Sequence, residues 1–213
     1  MASFRSWFKL ILVAIILLGH FIWLFLAIFL SGKNDKRGFR IRRKFCLAFS
    51  KSLGIVVQVH GVEHKGHCLY VSNHRSLLDP LIELGYIDTF ILSKAEVANY
   101  PLLGSGARRT GVLFVERTSE ESRKAAIQSI EKLFSSGSSV LIYPEGTTNG
   151  GNLTAEFRKG TIELAFRLGI PVIPVMIEYP DSSYYWTTGS LMDYFHRIFS
   201  KPMKHRVNIQ IGD

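Results

Sequence analysis

The segment Asn73–Asp79 contains the side chains of this chain that are best suited to proton transfer. It reads Asn-His-Arg-Ser-Leu-Leu-Asp and follows an apolar run that is typical of a β-strand. If a helix begins after Ser76, the Asp79 carboxylate can fold back onto the His74 imidazole. A histidine whose tautomer is fixed by a carboxylate is a general base. The alternative is an ordinary strand-to-helix turn, with Ser76 as N-cap and Asp79 in the first helical turn.

Charged residues also follow two other predicted strands. Glu116 and Arg117 come directly after the strand at residues 112–115, and the sequence Glu-Gly-Thr follows the strand at residues 139–143. Because the carboxyl ends of parallel strands meet at one edge of a sheet, we expect these groups to surround one cleft. A guanidinium binds phosphate oxygens in pairs, so Arg117 is a natural phosphate partner. Taken alone, each strand end also fits an exposed turn that leads into a helix.

The pattern of apolar residues predicts an α/β domain. Strands alternate with helices from residue 54 onward, which favours a mostly parallel central sheet flanked by helices. The first two strands, at residues 55–59 and 69–71, are expected to form a hairpin. The histidines between them match no ligand spacing, and we expect neither a metal nor another cofactor. Pro and Gly residues predict a helix-poor loop at residues 96–107.

The N-terminal quarter of the chain predicts a membrane anchor. Leu10–Leu30 is an apolar run of 21 residues, interrupted only by Gly19 and His20, and it is long enough for a hydrocarbon core of ~30 Å. A signal peptide is disfavoured, because the run is long and no small-residue cleavage site precedes the basic cluster at residues 33–44. Whether the helix spans the bilayer or enters one leaflet stays open, since a central histidine is unfavourable in a full span. Residues 39–53 predict a second, amphipathic helix, which lies on the membrane surface or begins the globular domain.

The positive charge of the chain lies beside this anchor. Residues 1–51 contain ten basic residues and one acidic residue, so they carry the whole formal net charge of +9. Because the denser cluster follows the apolar run, we expect the rest of the chain to be cytoplasmic and the cluster to attract anionic membrane lipids. A nucleic-acid partner is not expected, since such a protein carries its basic surface on the folded domain. The two cysteines exclude a disulfide framework and fit a reducing compartment.

Four sequence blocks, in this order, resemble the glycerolipid acyltransferase family typified by 1-acylglycerol-3-phosphate acyltransferase. The blocks are residues 73–79, similar to Asn-His-x-Ser-x-x-Asp; residues 111–117, similar to Gly-x-x-Phe-x-x-Arg; residues 143–147, similar to Phe-Pro-Glu-Gly-Thr; and residues 170–175, similar to a Pro-rich fourth block. With smaller matches they extend over roughly residues 55–178. The chain is thus divided into an anchor at residues 1–53 and an expected acyltransferase domain at residues 54–213.

The resemblance implies a membrane-bound O-acyltransferase that moves a fatty acyl group from a thioester to a hydroxyl of a lyso-lipid. The implied acceptor is 1-acylglycerol-3-phosphate, which would give phosphatidic acid in phospholipid biosynthesis. The donor would be acyl-CoA or acyl carrier protein, with no cofactor. His74 and Asp79 are then the base and the group that orients it. The residues that would bind substrate are Arg117, Glu145, Gly146, Thr147 and Lys94, with Arg158 and Lys159 as weaker candidates.

One departure from the family leaves the acceptor open. Many members with a glycerophosphate acceptor carry Arg or a similar group directly after Glu-Gly-Thr, where this chain has Thr148. The departure weakens the case for lysophosphatidate and admits acceptors such as lyso-ornithine lipid. Two further classes are a non-catalytic lipid-binding membrane protein and a thioester hydrolase. The intact His74 and Asp79 argue against the first, and the absence of a Gly-x-Ser-x-Gly elbow argues against the second.

Overall fold

Helices cover both faces of a mixed β-sheet. The computed structural model describes residues 4–31, 34–100, 103–116, 118–187, 189–201 and 204–212. The helices are α1 (Phe4–Ser31), α2 (Asp35–Leu53), α3 (Asp79–Glu83), α4 (Leu103–Arg109), α5 (Glu120–Ser135), α6 (Gly160–Arg167) and α7 (Leu191–Ser200), with 3-10 turns at Ala95–Asn99 and Ser182–Tyr184. The strands are β1 (Ile55–His60), β2 (Leu69–Ser72), β3 (Phe90–Lys94), β4 (Val112–Val115), β5 (Val140–Ile142), β6 (Val172–Glu178) and β7 (His205–Ile211). The predicted α/β class, with an N-terminal apolar helix, is confirmed.

Seven strands within the described residues form one sheet, in the order β1-β7-β6-β2-β5-β3-β4. From β6 to β4 the strands are parallel to one another. β7 is antiparallel to β6, and β1 is parallel to β7. The carboxyl ends of β2, β5, β3 and β4 therefore lie side by side at one edge, as the sequence predicted.

The sheet separates two apolar cores. β5 is the most enclosed strand, because all three of its residues are buried and it pairs with β2 and β3. One face packs against Ile130 and Phe134 of α5 and Leu164 of α6. The other face packs against α2, α3 and α7, whose contributions include Ile82 and Tyr194. This three-layer arrangement holds the polar strand ends at the rim of the sheet.

α2 is part of the folded core as well as the start of the basic region. The Asn34 side chain accepts a hydrogen bond from the Arg37 backbone N–H at its beginning, and Gly54 ends it in the left-handed conformation. Its apolar face, which includes Phe49 and Leu53, lies in the same core as the sheet and α7. A boundary between anchor and domain at residue 53 stays a prediction, but removing α2 would open the core.

α1 packs along the outside of the domain. The buried Lys9 ammonium donates to the carbonyl oxygens of Leu53 and Lys201, at 3.0 and 2.8 Å. Near the other end of the helix, Leu24 lies beside Gly106 of α4. Among the described residues, α1 is the one helix long and apolar enough to cross a membrane. Its outward face is apolar and exposed.

Two local expectations were wrong. β1 and β2 do not form a hairpin: β7 and β6 lie between them in the sheet. The loop after β1 instead passes over the end of β7, where a Cβ on Gly61 would lie 2.1 Å from the Ile211 carbonyl oxygen. The stretch predicted as a loop contains α4 and a 3-10 turn. Its glycines allow close packing, since a Cβ on Gly104 would lie 2.1 Å from the Ala98 carbonyl oxygen.

Candidate active site

His74 and Asp79 are joined at the carboxyl end of β2. The distance from His74 Nδ1 to Asp79 Oδ2 is 2.8 Å. The strand ends at Ser72, and the short turn into α3 brings the carboxylate back beneath the imidazole. The Asp79 side chain is fully buried, whereas 12% of the His74 side chain is exposed. The pair therefore has an inner carboxylate and an outer imidazole edge.

The other contacts of Asp79 fix the tautomer of His74. Oδ2 also accepts from the backbone N–H groups of Arg75 and Ser76, at 2.6 and 2.9 Å. Oδ1 accepts from the Tyr179 hydroxyl at 2.6 Å. A carboxylate surrounded by donors is an acceptor towards the imidazole as well, so Nδ1 of His74 carries the hydrogen. Nε2 is left as the acceptor on the outer edge, and it has no hydrogen-bond partner within the described part of the chain.

A second buried carboxyl group lies behind the pair. Glu83 Oε2 accepts from the Tyr143 hydroxyl and Oε1 from Ser72 Oγ, each at 2.5 Å. The Tyr143 ring stacks on the His74 ring, with 4.1 Å between their centroids and 14° between their planes. Burial, and then the charge of Asp79, raise the pKa of Glu83 to about 8. Tyr143 thus holds one face of the imidazole while its hydroxyl is anchored to Glu83.

Glu145 supports the backbone around His74. Its Oε1 accepts from the His74 backbone N–H at 2.8 Å, and its Oε2 accepts from the Ala155 backbone N–H at 2.7 Å. The Asn149 N–H in turn donates to the His74 carbonyl oxygen at 2.7 Å. The loop after β5 is therefore bound directly to the histidine. Both oxygens of Glu145 are occupied in this way, and its predicted substrate contact stays a prediction.

Arg75 also binds the loop that follows β5. Its Nη1 donates to the carbonyl oxygens of Asn149 and Gly151, at 3.1 and 2.5 Å, and its guanidinium lies 5.6 Å from the centroid of the Tyr185 ring. The Arg75 carbonyl accepts from the Trp186 N–H at 2.8 Å. This buried arginine is a positioning residue that orders the loop over the strand ends.

The remaining predicted site residues have different surroundings. Gly146 forms the turn after β5 with φ +73°, a left-handed conformation that favours glycine, and Thr147 beside it is exposed. Lys94, at the end of β3, is 56% exposed and lies 3.1 Å from a carboxylate oxygen of Glu96. Arg117 lies outside the described residues. No group of three or more His, Cys, Asp or Glu residues within the described ranges could hold a metal ion.

Comparison with known proteins identifies the family. A family model described as Acyltransferase matches residues 55–178, which extend from β1 to the end of β6. The chain belongs to the acyltransferase family. The match contains β2, β5, β3 and β4, the four strands whose carboxyl ends form the candidate site.

Two curated relatives of this acyltransferase-family chain are similar to its central part. A 1-acyl-sn-glycerol-3-phosphate acyltransferase of Borreliella burgdorferi is 35% identical over 146 residues, which are 64% of this chain and 57% of the relative. A lyso-ornithine lipid O-acyltransferase of Pseudomonas aeruginosa is 37% identical over 141 residues, which are 66% of this chain and 54% of the relative. The chain therefore spans a little over half the length of these two relatives.

A solved structure shares the fold of this acyltransferase-family chain. The 1-acyl-sn-glycerophosphate (LPA) acyltransferase PlsC from Thermotoga maritima superimposes with a TM-score of 0.72. The superposition covers 98% of this chain and 83% of that chain, at 20% sequence identity. The likeness supports the layered α/β architecture of the chain.

Three residues of the site were missed by sequence reasoning. Tyr179 lies just after the matched region, Tyr143 is the first position of the block at residues 143–147, and Glu83 lies in none of the four blocks. One signal for Glu83 was available, because it lies four residues after Asp79 and a helix places both on one face. Tyr143 and Tyr179 gave no local signal, since their partners are distant in sequence.

Replacing Glu83 with glutamine is expected to remove a pH dependence of stability from this acyltransferase-family chain. The folded pKa of Glu83, about 8, exceeds the value of 4.5 for an unperturbed side chain. The stabilisation from the neutral carboxyl is therefore fully present below about pH 4.5 and is lost as the pH rises through about 8. Glutamine does not ionise, and each pKa unit is worth about 1.4 kcal/mol. We expect the free energy of unfolding of the variant to exceed that of the wild type by an amount that grows between about pH 5 and about pH 9 and reaches a few kcal/mol.

Urea unfolding followed by tryptophan fluorescence at a series of pH values measures this difference. The matched control is Glu156→Gln, which removes an exposed carboxylate. Its unfolding free energy should follow that of the wild type at every pH. Parallel curves for Glu83→Gln and the wild type would contradict the buried neutral carboxyl.

Proposed function

We propose that this chain transfers a fatty acyl group from a thioester to the hydroxyl of a lyso-lipid, most favourably 1-acylglycerol-3-phosphate, in phospholipid biosynthesis. The observation that carries the proposal is the 2.8 Å contact between His74 Nδ1 and Asp79 Oδ2, which leaves Nε2 as a base on the exposed edge of the imidazole. The relative from Borreliella burgdorferi, named 1-acyl-sn-glycerol-3-phosphate acyltransferase, supports this acceptor. The product would be phosphatidic acid.

The proposed reaction is a direct transfer. Nε2 of His74 takes the proton of the acceptor hydroxyl as its oxygen attacks the thioester carbonyl carbon. The tetrahedral intermediate collapses, the C–S bond breaks, and the departing thiolate takes the proton from the imidazolium. Asp79 keeps the imidazole in the required tautomer and stabilises its charged form. A positioned base supplies about 10²- to 10⁴-fold in rate, so the juxtaposition of the two substrates must supply much of the rest.

The thioester donor would be acyl-CoA or acyl carrier protein, with no additional cofactor. Arg117, Glu145, Gly146, Thr147 and Lys94 are the residues proposed to bind substrate. Of these, the turn at residues 145–147 is bonded to the backbone of His74 through Glu145. An acceptor bound at this turn would lie beside the base.

A second acceptor is lyso-ornithine lipid. The relative from Pseudomonas aeruginosa that is named for this reaction is 37% identical, and Thr148 leaves the Glu-Gly-Thr turn without a cation at the next position. An ornithine head group carries no phosphate. Comparison of the two acceptors therefore belongs in the first assay.

The chain is proposed to act at a membrane surface, with its sheet domain on the cytoplasmic side. The exposed apolar face of α1 supports contact with lipid, and the basic residues at the start of α2 support attraction to anionic head groups. The same cluster favours the cytoplasmic side. The acceptor, which is itself a lipid, would then reach the site from the bilayer.

Release of free thiol from acyl-CoA should depend on the lyso-lipid. The purified full-length chain in mixed micelles is expected to release thiol when lysophosphatidate is present and not when it is omitted. A thiol reagent measures the release, and mass spectrometry measures the new lipid. Thiol release without an acceptor would indicate a hydrolase. If neither lysophosphatidate nor lyso-ornithine lipid caused thiol release, the remaining interpretation would be a non-catalytic lipid-binding protein.

A further inference from the structure

Glu83 connects the ends of two neighbouring strands close to His74. It lies in α3, and its side chain is fully buried. Ser72, which is 2.5 Å from Oε1, is the last residue of β2, and Tyr143, which is 2.5 Å from Oε2, directly follows β5. β2 and β5 are paired in the sheet. One side chain of α3 thus binds both strand ends at the edge that holds the candidate base.

The ring of Tyr143 extends this connection to the imidazole of His74. The hydrogen bond from Nδ1 to Asp79 fixes one atom of the imidazole, whereas the stacked tyrosine ring, 4.1 Å away between centroids, fixes its plane. Burial, and then the neighbouring Glu83 carboxyl, raise the pKa of Tyr143 well above its ordinary value. The hydroxyl therefore keeps the proton that it donates, and the plane of the imidazole depends on a contact that Glu83 accepts.

The neutral form of Glu83 can satisfy its own hydrogen bonds. Ser72 Oγ also lies 3.2 Å from the Asn73 carbonyl oxygen, which gives the serine hydroxyl a second acceptor. When Glu83 carries a proton, its O–H can donate to Ser72 Oγ while Ser72 donates to Asn73. Oε2 then remains the acceptor for Tyr143. The backbone that leads into His74 and the ring that stacks on it are thus both bound to one carboxyl group.

A carboxyl group at this buried position does not follow from packing. Its neighbour Ile82 in α3 belongs to the apolar core. No ion pair among the described residues includes Glu83, so no cation offsets the burial of its charged form. An apolar side chain would fill the space without the free energy needed to bury a polar group. Because perturbed ionisable groups cluster at functional sites, the place of Glu83 behind the candidate base points to a role in the reaction.

We propose that Glu83 is a positioning residue for His74, which acts through the Tyr143 hydroxyl to hold the imidazole plane in the orientation needed for proton transfer. The inference rests on the proposed function, because it assigns Glu83 to that same reaction. The fully buried side chain has no access to substrate, so it acts only through its neighbours. A small misplacement of reacting groups lowers a rate by as much as about 10²-fold. Loss of the anchor should therefore slow acyl transfer without weakening substrate binding.

Steady-state kinetics of the full-length chain with acyl-CoA and lysophosphatidate test the anchor. Glu83→Leu removes both contacts of the carboxyl and keeps a side chain of similar size, and we expect kcat to fall by about 10- to 100-fold with little change in KM. Tyr143→Phe keeps the stacked ring and removes the hydroxyl, and kcat should fall by about 10-fold. Glu83→Gln should keep kcat within a few-fold of the wild type, because an amide accepts from Tyr143 and donates to Ser72.

A double variant and a matched control separate the shared contact from general effects. Glu83→Leu combined with Tyr143→Phe should lose no more kcat than Glu83→Leu alone, since both substitutions remove the same hydrogen bond. The control is Tyr70→Phe, which removes another tyrosine hydroxyl from a buried residue of β2. That hydroxyl accepts from the His64 backbone N–H at 3.0 Å, and its loss should leave kcat and KM unchanged.

A spectroscopic measurement tests the placement of the imidazole without turnover. The His74 ring lies against the face of the Tyr143 ring, whose ring current moves the proton signals of the imidazole upfield. In chains with carbon-13-labelled histidine, His74→Ala identifies these signals by their loss. They should move towards unstacked values in Glu83→Leu and keep their positions in Glu83→Gln and Tyr70→Phe.

Several results would overturn the inference. These are an unchanged kcat in Glu83→Leu, a loss confined to KM, and additive losses in the double variant. An equal loss in Glu83→Gln would also overturn it, because the carboxyl would then act through its proton and not as an anchor. If circular dichroism showed that Glu83→Leu does not fold, Tyr143→Phe would decide, and a wild-type kcat in that variant would contradict the anchor.

Failure of this inference can be distinguished from failure of the proposed function. A wild type that transfers no acyl group to any lyso-lipid would remove the proposed function. The His74 signals would still show whether Glu83 sets the position of the imidazole. Conversely, a fully active Glu83→Leu variant with unmoved His74 signals would leave the transferase intact and remove Glu83 from its machinery.

Discussion

Replacing His74 with alanine is expected to lower acyl transfer by about 10²- to 10⁴-fold without unfolding the chain. The loss of rate follows because Nε2 is the base proposed to take the hydroxyl proton. The fold should persist because Asp79 keeps three other donors: the N–H groups of Arg75 and Ser76 and the hydroxyl of Tyr179. No buried carboxylate is therefore left unpaired, which is the usual source of large destabilisation after such a substitution.

Steady-state kinetics with acyl-CoA and the best acceptor measure this loss. A base that acts only in the transition state lowers kcat and leaves substrate binding nearly unchanged. The matched control is His196→Ala, which removes an exposed histidine from α7 and should retain full activity. If His74→Ala kept its rate within a few-fold of the wild type, another group would have to take the proton.

The meeting of the carboxyl ends of the parallel strands at one edge of the sheet could be predicted, because it follows from local sequence patterns. Apolar runs that end in polar residues indicate strands, and alternation with helices indicates that the strands are parallel. Three such strand ends then have to share one edge. The sequence therefore predicts that His74, Asp79 and Glu145 lie in one region. The 2.8 Å contact within the pair required only the short turn between β2 and α3.

The contacts that support the His74–Asp79 pair could not be predicted, because they join distant parts of the chain. Tyr179 is 100 residues from Asp79, and Tyr143 is 60 residues from Glu83. A tyrosine after a strand is ordinary in sequence, and its hydroxyl acquires a partner only when the layers pack. The function of Glu145 is a similar case. Its position at a strand end suggested a substrate contact, whereas its hydrogen bonds support the backbone on each side.

The hairpin predicted for β1 and β2 was wrong for a related reason. Two short β-branched strands separated by a glycine-containing turn fit a hairpin locally, but β1 pairs with β7 at the end of the described chain. In the sheet, β7 buries Val207 and Ile209 between neighbours on both sides, which a terminal hairpin would not provide. Pairing β1 with β7 closes a long loop, but the entropy cost of loop closure grows only slowly with loop length. The burial of apolar side chains therefore decides which strand pairs with β1.

The outward face of α1 is expected to determine membrane binding. Every third or fourth residue of the helix, including Ser6 and Lys9, is turned towards the domain. The opposite stripe is exposed and apolar: Ile11, Ile15, Leu18 and Ile22 are each 49–62% exposed. Because the inner stripe is bonded to the domain, the outer stripe is available to lipid while the chain stays folded. Replacing these four residues with glutamine should therefore release the chain from vesicles without disturbing α2.

The expected effect on binding is large. Full transfer of a large aliphatic side chain from water is worth about 1.5–3 kcal/mol, so four substitutions should lower partitioning by at least about 10²-fold. Flotation with vesicles that contain anionic lipid measures it, and thiol release with a soluble short-chain acceptor shows that the site survives. The control places glutamine at Val62 and Phe166, which are 76% and 88% exposed but lie outside α1. Vesicle binding of the α1 variant equal to that of this control would show that another surface, such as the aromatic residues 184–199, carries the attachment.

A simple truncation would be a poorer test of the same attachment. Removing residues 1–51 would take away the apolar stripe and the basic cluster together, but it would also remove Cys46 and Phe49 from the main core. An aggregated product would pellet with or without vesicles and would imitate binding. Substitution on the outer stripe of α1 changes the lipid-facing surface alone. Binding that is weakened by these substitutions and restored by raising the anionic lipid content would separate the apolar contribution from the basic one.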